Sequence, residues 1–426
     1  MKPSARRRPA PPVSRASPVR QERPVPVPRQ RRAFSTFGGP IELGGEPAEA
    51  RLLGKLLRVD PALARALTHG FHSYAGRMHP TIARGAIEAW SEPGDTVVDP
   101  FCGSGTVLVE AMGLGRAARG VDASPLGIAI AAVRTTTMGA AGRARLEKEA
   151  ARIAEESGER ARKRKRPAMP AWSQNELGRF HPHVLLELLG LRELVMATDD
   201  DEVGRALRLC FSSILVKFMK AGPEAPRDGE TKRIARGIPS RMLADRAGEL
   251  SRGLAALEGR TPEGTPAPEA RLGDARNLSH VAAGAAALVV SSPPYAGTYD
   301  YAAQHDVRFS WLDLPRKFFR KTQLGARGSR LGADPEAWRA GQRQWIGEIA
   351  RILRPGGHAM LVVGDGVVGD DPEDAPDAVA AVASPLGLEP LARASQGRPI
   401  IDNRLQALFA ARTRREHLLL LRRAGR

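Results

Sequence analysis

The sequence predicts an α/β protein built on one doubly wound sheet. Three observations carry this. A strand–turn–helix–strand–helix run fills residues 95–138, glycines at 103 and 105 punctuate its first turn, and strand and helix signals alternate again from Ala287 onward.

Taken in order, the pattern becomes helical from about Ala48, and Pro80 suits the first position of a helix over Thr81–Trp90 because its missing N–H is not needed there. A strand over Asp95–Asp99 leads through the glycine turn into a helix over Thr106–Met112, a second strand over Ala117–Asp122, and a helix to about Met138. Helical periodicity then dominates: Ala141–Glu156, His183–Thr198, Glu202–Lys220 and Ser240–Leu257. A basic run (Arg160–Arg166) and a Pro/Gly-rich stretch (Ala221–Gly229) separate these helices. Strands return near Ala270–Asp274 and Ala287–Ser291. A helix over Pro335–Leu353 is expected to stop at Arg354-Pro-Gly-Gly357, before a strand over His358–Gly364. A helix at Ala375–Ala383 and strands at Leu388–Ala394 and Glu416–Leu421 complete the chain. The expected organisation is a basic Pro/Arg-rich disordered arm (1–37), a first part of the sheet domain (38–140), a helical insertion (141–261) and a second part (262–426). An insertion after the second strand keeps the crossovers right-handed.

At 426 residues the chain has room for two or three domains. Its 65 Lys and Arg against 47 Asp and Glu give +18, which points to a polyanionic partner. Half of that excess lies in residues 1–33, with one Lys, nine Arg and one acid, Glu22, so it says little about a specific site. Arg31-Arg32-Ala33-Phe34 lacks the apolar stretch of an export signal. Two cysteines, Cys102 and Cys210, are too few for a disulfide scaffold and fit a reducing cytosol. The longest apolar run, Val281–Val290, is too short to span a membrane. A cytoplasmic, nucleoid-associated protein is therefore expected. No zinc spacing is present, and the His181/His183 pair reads as a helix start, so no metal is expected. No Walker A sequence appears.

Two motifs carry chemistry. In Asp99-Pro-Phe-Cys-Gly-Ser-Gly-Thr106 a glycine turn lets backbone approach a ligand, while acids end both the first strand (Asp99) and the second (Asp122). An acid in the second position can accept from both hydroxyls of a ribose; the alternative for either acid is a helix cap. The third glycine of a dinucleotide fingerprint is missing, since Val107 and Leu108 follow Thr106. In Ser292-Pro293-Pro294-Tyr295, two prolines end a strand in a stiff corner whose carbonyls can accept hydrogen bonds. A hydroxyl before the corner and an aromatic ring after it could hold a flat, amino-bearing ring; the alternative is an ordinary turn with a packed tyrosine.

These segments resemble those of S-adenosylmethionine-dependent DNA amino-methyltransferases of the cytosine-N4/adenine-N6 type. Asp99–Thr106 looks like motif I, Ser292–Tyr295 like the catalytic motif IV in its S-P-P-Y form, and His72-Ser-Tyr-Ala-Gly-Arg-Met-His-Pro80 like motif X. The resemblance covers roughly residues 66–138 and 268–426. It implies a Rossmann-like sheet whose last strand is antiparallel, with S-adenosylmethionine as cofactor. It also implies that Asp99, Phe101, Gly103, Ser104, Gly105, Thr106, Asp122, Asp274, His79 and Pro80 bind that cofactor. Ser292, Pro293, Pro294 and Tyr295 would act on a base, with S-P-P-Y favouring the N4 amine of cytosine over N6 of adenine. DNA is the implied substrate, RNA (a guanine-N2 type enzyme) the alternative, and a restriction endonuclease a possible partner; the non-enzyme alternative is a basic nucleic-acid-binding protein on a methyltransferase fold, and oligomeric state is not readable. Six basic residues without an acid between 316 and 330 (Arg316, Lys317, Arg320, Lys321, Arg327 and Arg330) form an expected loop contacting phosphates. A solvated charged loop is the alternative.

Overall fold

The computed structural model describes residues 39–163, 167–225, 234–297, 300–325, 334–398 and 403–425; the basic arm expected at 1–37 lies outside them. Ten strands form among the described residues: β1 (Ile41–Gly45), β2 (Thr96–Asp99), β3 (Ala117–Asp122), β4 (Glu269–Leu272), β5 (Ala286–Ser291), β6 (Leu353–Gly364), β7 (Gly366–Val368), β8 (Asp371–Glu373), β9 (Leu388–Gly397) and β10 (Arg415–Arg423). Eight of them make one sheet in the order β1-β9-β10-β6-β5-β2-β3-β4, and β7 pairs with β8. The five strands from β4 to β6 are parallel, and β10 runs antiparallel between β6 and β9. The α/β class, the largely parallel sheet and the antiparallel last strand are those the sequence predicts.

Period-2 alternation builds both faces. Val97, Leu288, Val290, Met360, Val362, Leu418 and Leu420 pack on helices Pro47–Leu56, Pro80–Trp90 and Thr106–Gly113. Their neighbours Val98, Val289, Leu361, Val363, Leu419 and Leu421 pack on helices Pro335–Ile352 and Ala375–Ala383. Proline opens several helices (Pro80, Pro125, Pro182, Pro335), and Ser124, Asp201 and Asp334 cap theirs by accepting from backbone N–H groups. Between the helix Pro125–Arg134 and β4, helices Gly139–Arg162, Pro182–Met196, Glu202–Leu215 and Ile238–Arg260 share one apolar core. On the last of these, Leu243, Ala247, Leu250 and Leu254 recur at helical spacing and are fully buried. No helix of the described residues is long and apolar enough to cross a membrane.

Three local expectations are corrected. The stretch before Ala48, where the sequence predicts no strand, contains β1, an edge strand paired with β9. Its Gly45 passes so close to Leu391 and Ala392 that a Cβ there would sit 2.2 Å from the Leu391 carbonyl oxygen, so glycine, not hydrophobicity, makes this strand. Arg354-Pro-Gly-Gly357 does not separate helix from strand; it is an irregular start of β6, where pairing with β5 slips. Finally, residues 317–322 form a short helix rather than a loop.

Sheet order sets the position of the site. From β2 the chain moves outward to β3 and β4, then returns to β5 on the other side of β2. Such a reversal leaves a crevice at the carboxyl ends of the central strands. Asp99 ends β2, and Ser291 ends β5 beside it.

Candidate cofactor and acceptor site

A cleft opens at that crevice, enclosing about 860 Å³ with the open solvent at its mouth included. Asp99, Phe101, Gly103, Ser104, Thr106, Asp122 and Asp274 line it, and so do Ser292 and Pro294. Residues nearly two hundred positions apart thus face one space.

The glycine turn needs its glycines. Gly103 has φ +48°, and a Cβ there would come within 3.0 Å of the Tyr74 ring. Gly105, at φ +78°, precedes the helix Thr106–Gly113, and a Cβ would sit 2.7 Å from that of Ala131. The turn is fixed by acids. Asp122 accepts from the N–H of Gly103 and of Ser124, both at 2.8 Å. Asp99 Oδ1 accepts from Ser291 Oγ at 2.6 Å and from the Phe101 N–H at 3.1 Å. Burial pushes the Asp99 carboxyl up to about 7, despite those two bonds, and nearby Asp122 adds to the rise. Burial likewise pushes Asp122 up to about 6, against its bonds to Ser124 and Gly103. Thr106 Oγ1 is buried on the lining of the cleft, without a hydrogen-bond partner among the described residues. A polar atom so placed suits a hydrogen-bonding ligand.

Other expected residues stand elsewhere. His79 and Pro80 are buried but do not line the cleft: His79 caps the helix that Pro80 begins, accepting from the Thr81 N–H at 3.2 Å. From the same segment it is Tyr74, Ala75, Gly76, Arg77 and Met78 that face the space. Asp274 lines the cleft with its carboxylate engaged by Arg276 at 2.6 Å. Pro293 and Tyr295 are outside the lining, and the Tyr295 ring packs over Gly364 at the end of β6.

The basic segment divides. Phe319 and Thr322 of the helix Lys317–Thr322 line the cleft, and Lys317, Arg320 and Lys321 are exposed. Arg316 is half-buried and bonded to Asp306 at 2.8 Å and to Ser310, so it is not a freely presented cation. Arg320 also reaches Asp306, at 3.4 Å. Arg327 and Arg330 lie outside the described residues. Cys102 and Cys210 are both buried, and burial pushes both thiols up, so neither is poised as a nucleophile.

The structure adds Tyr74, Tyr301, Phe319 and Gln323 to the lining, and Ser291 behind it. Tyr74 lies inside the quoted His72–Pro80 segment. Ser291 gave no sequence signal beyond ending a strand.

Comparison with known proteins adds a partial match. Residues 68–132 match a DNA methylase family (N6_N4_Mtase), a stretch that holds Tyr74, Asp99 to Thr106 and Asp122 but ends far before Ser292. The Type II methyltransferase M.MjaII of Methanocaldococcus jannaschii is 39% identical over 66 residues, 16% of this chain and 12% of that protein. The chain therefore matches about an eighth of that relative's length. Among solved structures, the rRNA methyltransferase aviRa of Streptomyces viridochromogenes aligns over 87% of this chain and 95% of its own, at 14% identity and a TM-score of 0.37. The geranyl diphosphate C-methyltransferase of Streptomyces coelicolor A3(2) aligns over 82% and 77%, at 10% identity and a TM-score of 0.34.

Proposed function

We propose that this chain is an S-adenosylmethionine-dependent DNA methyltransferase that modifies an exocyclic amine, with N4 of cytosine as the preferred target. The observation that carries the reading is one cleft lined by Asp99, Gly103, Ser104, Thr106 and Asp122 together with Ser292 and Pro294, with Gly105 outside the lining. The match of residues 68–132 to DNA methylases supports its cofactor half.

When bound, S-adenosylmethionine supplies an electrophilic sulfonium methyl group. Thr106 Oγ1, without a partner among the described residues, suits such a ligand, and Asp122, which lines the same cleft, would accept from ribose hydroxyls. Asp99 supplies negative charge for the methionine ammonium. On the acceptor side, an exocyclic amine is a poor nucleophile because its lone pair is delocalised into the ring. Ser292 Oγ and a carbonyl of the Pro-Pro corner accept hydrogen bonds from its N–H groups and draw the lone pair onto nitrogen, toward the methyl group; as the N–C bond forms and the S–C bond breaks, S-adenosylhomocysteine leaves and the surplus N–H proton passes to solvent. Alignment and exclusion of water supply most of the acceleration. No covalent enzyme intermediate is required, in keeping with the two buried thiols. A base in a duplex must leave the stack first, at a cost of about a few kcal/mol.

Incubation with labelled cofactor and DNA or RNA, followed by nucleoside mass spectrometry, tests the proposal. N4-methylcytosine in DNA is expected. N6-methyladenine would move the target within the same chemistry, and label confined to RNA would overturn DNA as substrate. A cytoplasmic setting and a companion endonuclease remain part of the same proposal.

Two further results are expected. Ionised Asp99 and Asp122 favour a cationic cofactor, so affinity for S-adenosylhomocysteine, which keeps the ammonium, should rise between pH 5.5 and 8. The gain should be about tenfold or more, with its midpoint between about 6 and 7. Both folded pKa values lie above the ordinary 3.8, so the same rise in pH costs the ligand-free protein stability from about 4 up to about 7. Calorimetric titration across this range would show a flat profile if the carboxylates had no part in binding. The second result concerns the exposed pair Lys317 and Lys321. Changing both to Ala should reduce the slope of log affinity against log salt by roughly 2, measured by fluorescence anisotropy on a duplex. An unchanged slope would remove the pair from the interface.

A further inference from the structure

Tyr74 lines the cleft beside the glycine turn; its hydroxyl is bonded to Ser124 on the cofactor side, while its ring and the residue before it are also held from the acceptor side. Arg308 belongs to the short helix Asp306–Trp311, which follows the Pro-Pro corner in sequence. Its side chain is fully buried. Nη1 donates to the carbonyl oxygen of Ser73 at 2.7 Å, and Nη2 donates to Ser73 Oγ at 2.8 Å. Ser73 is thus gripped through both its main chain and its side chain, one residue before Tyr74. Nη2 also lies 3.4 Å from a carboxylate oxygen of Glu224, which offsets part of the cost of burying a guanidinium. His305, at the start of the same helix, stacks on the Tyr74 ring with centroids 4.8 Å apart and planes at 27°. On its other side that ring approaches Gly103 so closely that no Cβ would fit comfortably between them. Tyr74 is therefore wedged between the glycine turn and a helix from the acceptor half. The same helix begins with Asp306, which holds Arg316 and Arg320 of the basic segment.

We propose that Arg308 is a positioning residue for the cofactor site: through Ser73 it sets Tyr74 against the Gly103 turn from the acceptor side of the cleft. The inference rests on the cofactor reading given above. It assigns Arg308 no contact with cofactor or base. A buried cation gripping one residue at two atoms fixes a backbone position more tightly than apolar packing would, and small misplacements at a binding site are costly.

Arg308→Lys keeps a positive charge beside Glu224 but cannot hold both Ser73 atoms in a planar fork. Ser73→Ala removes one bond and leaves the carbonyl. For Arg308→Lys, the dissociation constant for S-adenosylhomocysteine and KM for S-adenosylmethionine should each rise about tenfold, while kcat on DNA stays within about twofold. Ser73→Ala should give a smaller change of the same kind, about threefold. Thermal melting reports whether each variant folds, and if Arg308→Lys does not, Ser73→Ala decides alone. Wild-type cofactor affinity in the folded variants overturns the proposal, and so does a fall in kcat with KM and affinity unchanged. If the wild-type chain itself binds no S-adenosylhomocysteine, the cofactor reading fails and this inference with it. Failure of the inference alone shows as equal binding by wild type and variants.

Discussion

Replacing Glu110 by Ala should destabilise the protein by about 3–5 kcal/mol, the scale for breaking a buried ion pair by removing one partner. Glu110 lies on the helix Thr106–Gly113 and is fully buried. Its carboxylate takes His69 Nε2 at 2.7 Å, Arg84 Nε at 3.0 Å and Arg260 Nη1 at 3.2 Å. An arginine nitrogen always donates, so Arg134 Nη2 at His69 Nδ1 fixes the tautomer: Nδ1 accepts, and Nε2–H donates to Glu110. Arg134 in turn donates to the carbonyl oxygen of Ser104 at 2.5 Å and to its hydroxyl at 3.2 Å. The chain Glu110–His69–Arg134–Ser104 therefore ties the ligand turn to its own helix. Burial alone would raise the Glu110 carboxyl, but the bonds from His69 and Arg84 hold it down to about 2. Its folded pKa thus lies below the ordinary 4.5, so its contribution is complete above that pH and is lost as pH falls toward about 2. Burial also lowers His69 to about 3, so the fold loses further stability as pH drops below about 6.5. Urea denaturation at pH 7.5, pH 5 and pH 3 measures both effects: the step from 7.5 to 5 reports His69, and the step from 5 to 3 adds the loss at Glu110. An Ala variant with a wild-type midpoint would show that the network contributes nothing net.

This network marks a limit of sequence reading. Periodicity exposed β2, β3, β5 and the helices between them because each buries a repeating apolar face. Glycine spacing and strand-end acids exposed the turn at 103–105, and a proline pair exposed the acceptor corner. Partnership is not periodic: Glu110, His69 and Arg134 are charged or polar residues on otherwise ordinary helix and loop segments, and only folding brings them within bonding distance. The same holds for Arg316. In sequence it heads a basic run without acids, yet Asp306, ten residues earlier, neutralises it. In the His72–Pro80 segment the sequence pointed to His79 and Pro80, whereas the cleft takes Tyr74 to Met78. Proline at the first helical position and its cap serve the helix, which leaves the preceding turn to face the ligand. β1 escaped for the opposite reason: it is short, glycine-bearing and at an edge, with little apolar surface to betray it.

Ser291 and Ser292 are adjacent, and substitution by Ala should separate their roles completely. Parallel pairing of β5 with β2 places Val98 opposite Val289, so the carboxyl ends of the two strands arrive together. Ser291, buried at the end of β5, donates to Asp99 at 2.6 Å. The next residue turns to the other side of the strand line, and Ser292 reaches the cleft instead. Ser291→Ala should therefore weaken cofactor binding by removing a bond that favours ionised Asp99, with the midpoint of the pH profile moving upward. Ser292→Ala should leave S-adenosylhomocysteine affinity unchanged and lower kcat by roughly 10²–10³, the scale for removing one preorganised hydrogen-bond partner of a transition state. A hydroxyl is a weak base, so its contribution lies in accepting a hydrogen bond that strengthens as the amine loses electron density, and not in full proton removal. Such an interaction lowers kcat and kcat/KM together. Single-turnover methylation assays with each variant, paired with calorimetric titration of S-adenosylhomocysteine, resolve the two serines. Normal transfer by Ser292→Ala would remove the hydroxyl from the acceptor site and leave the Pro-Pro carbonyls to orient the amine. Loss of cofactor affinity in that variant would instead place Ser292 on the cofactor side, with Ser291.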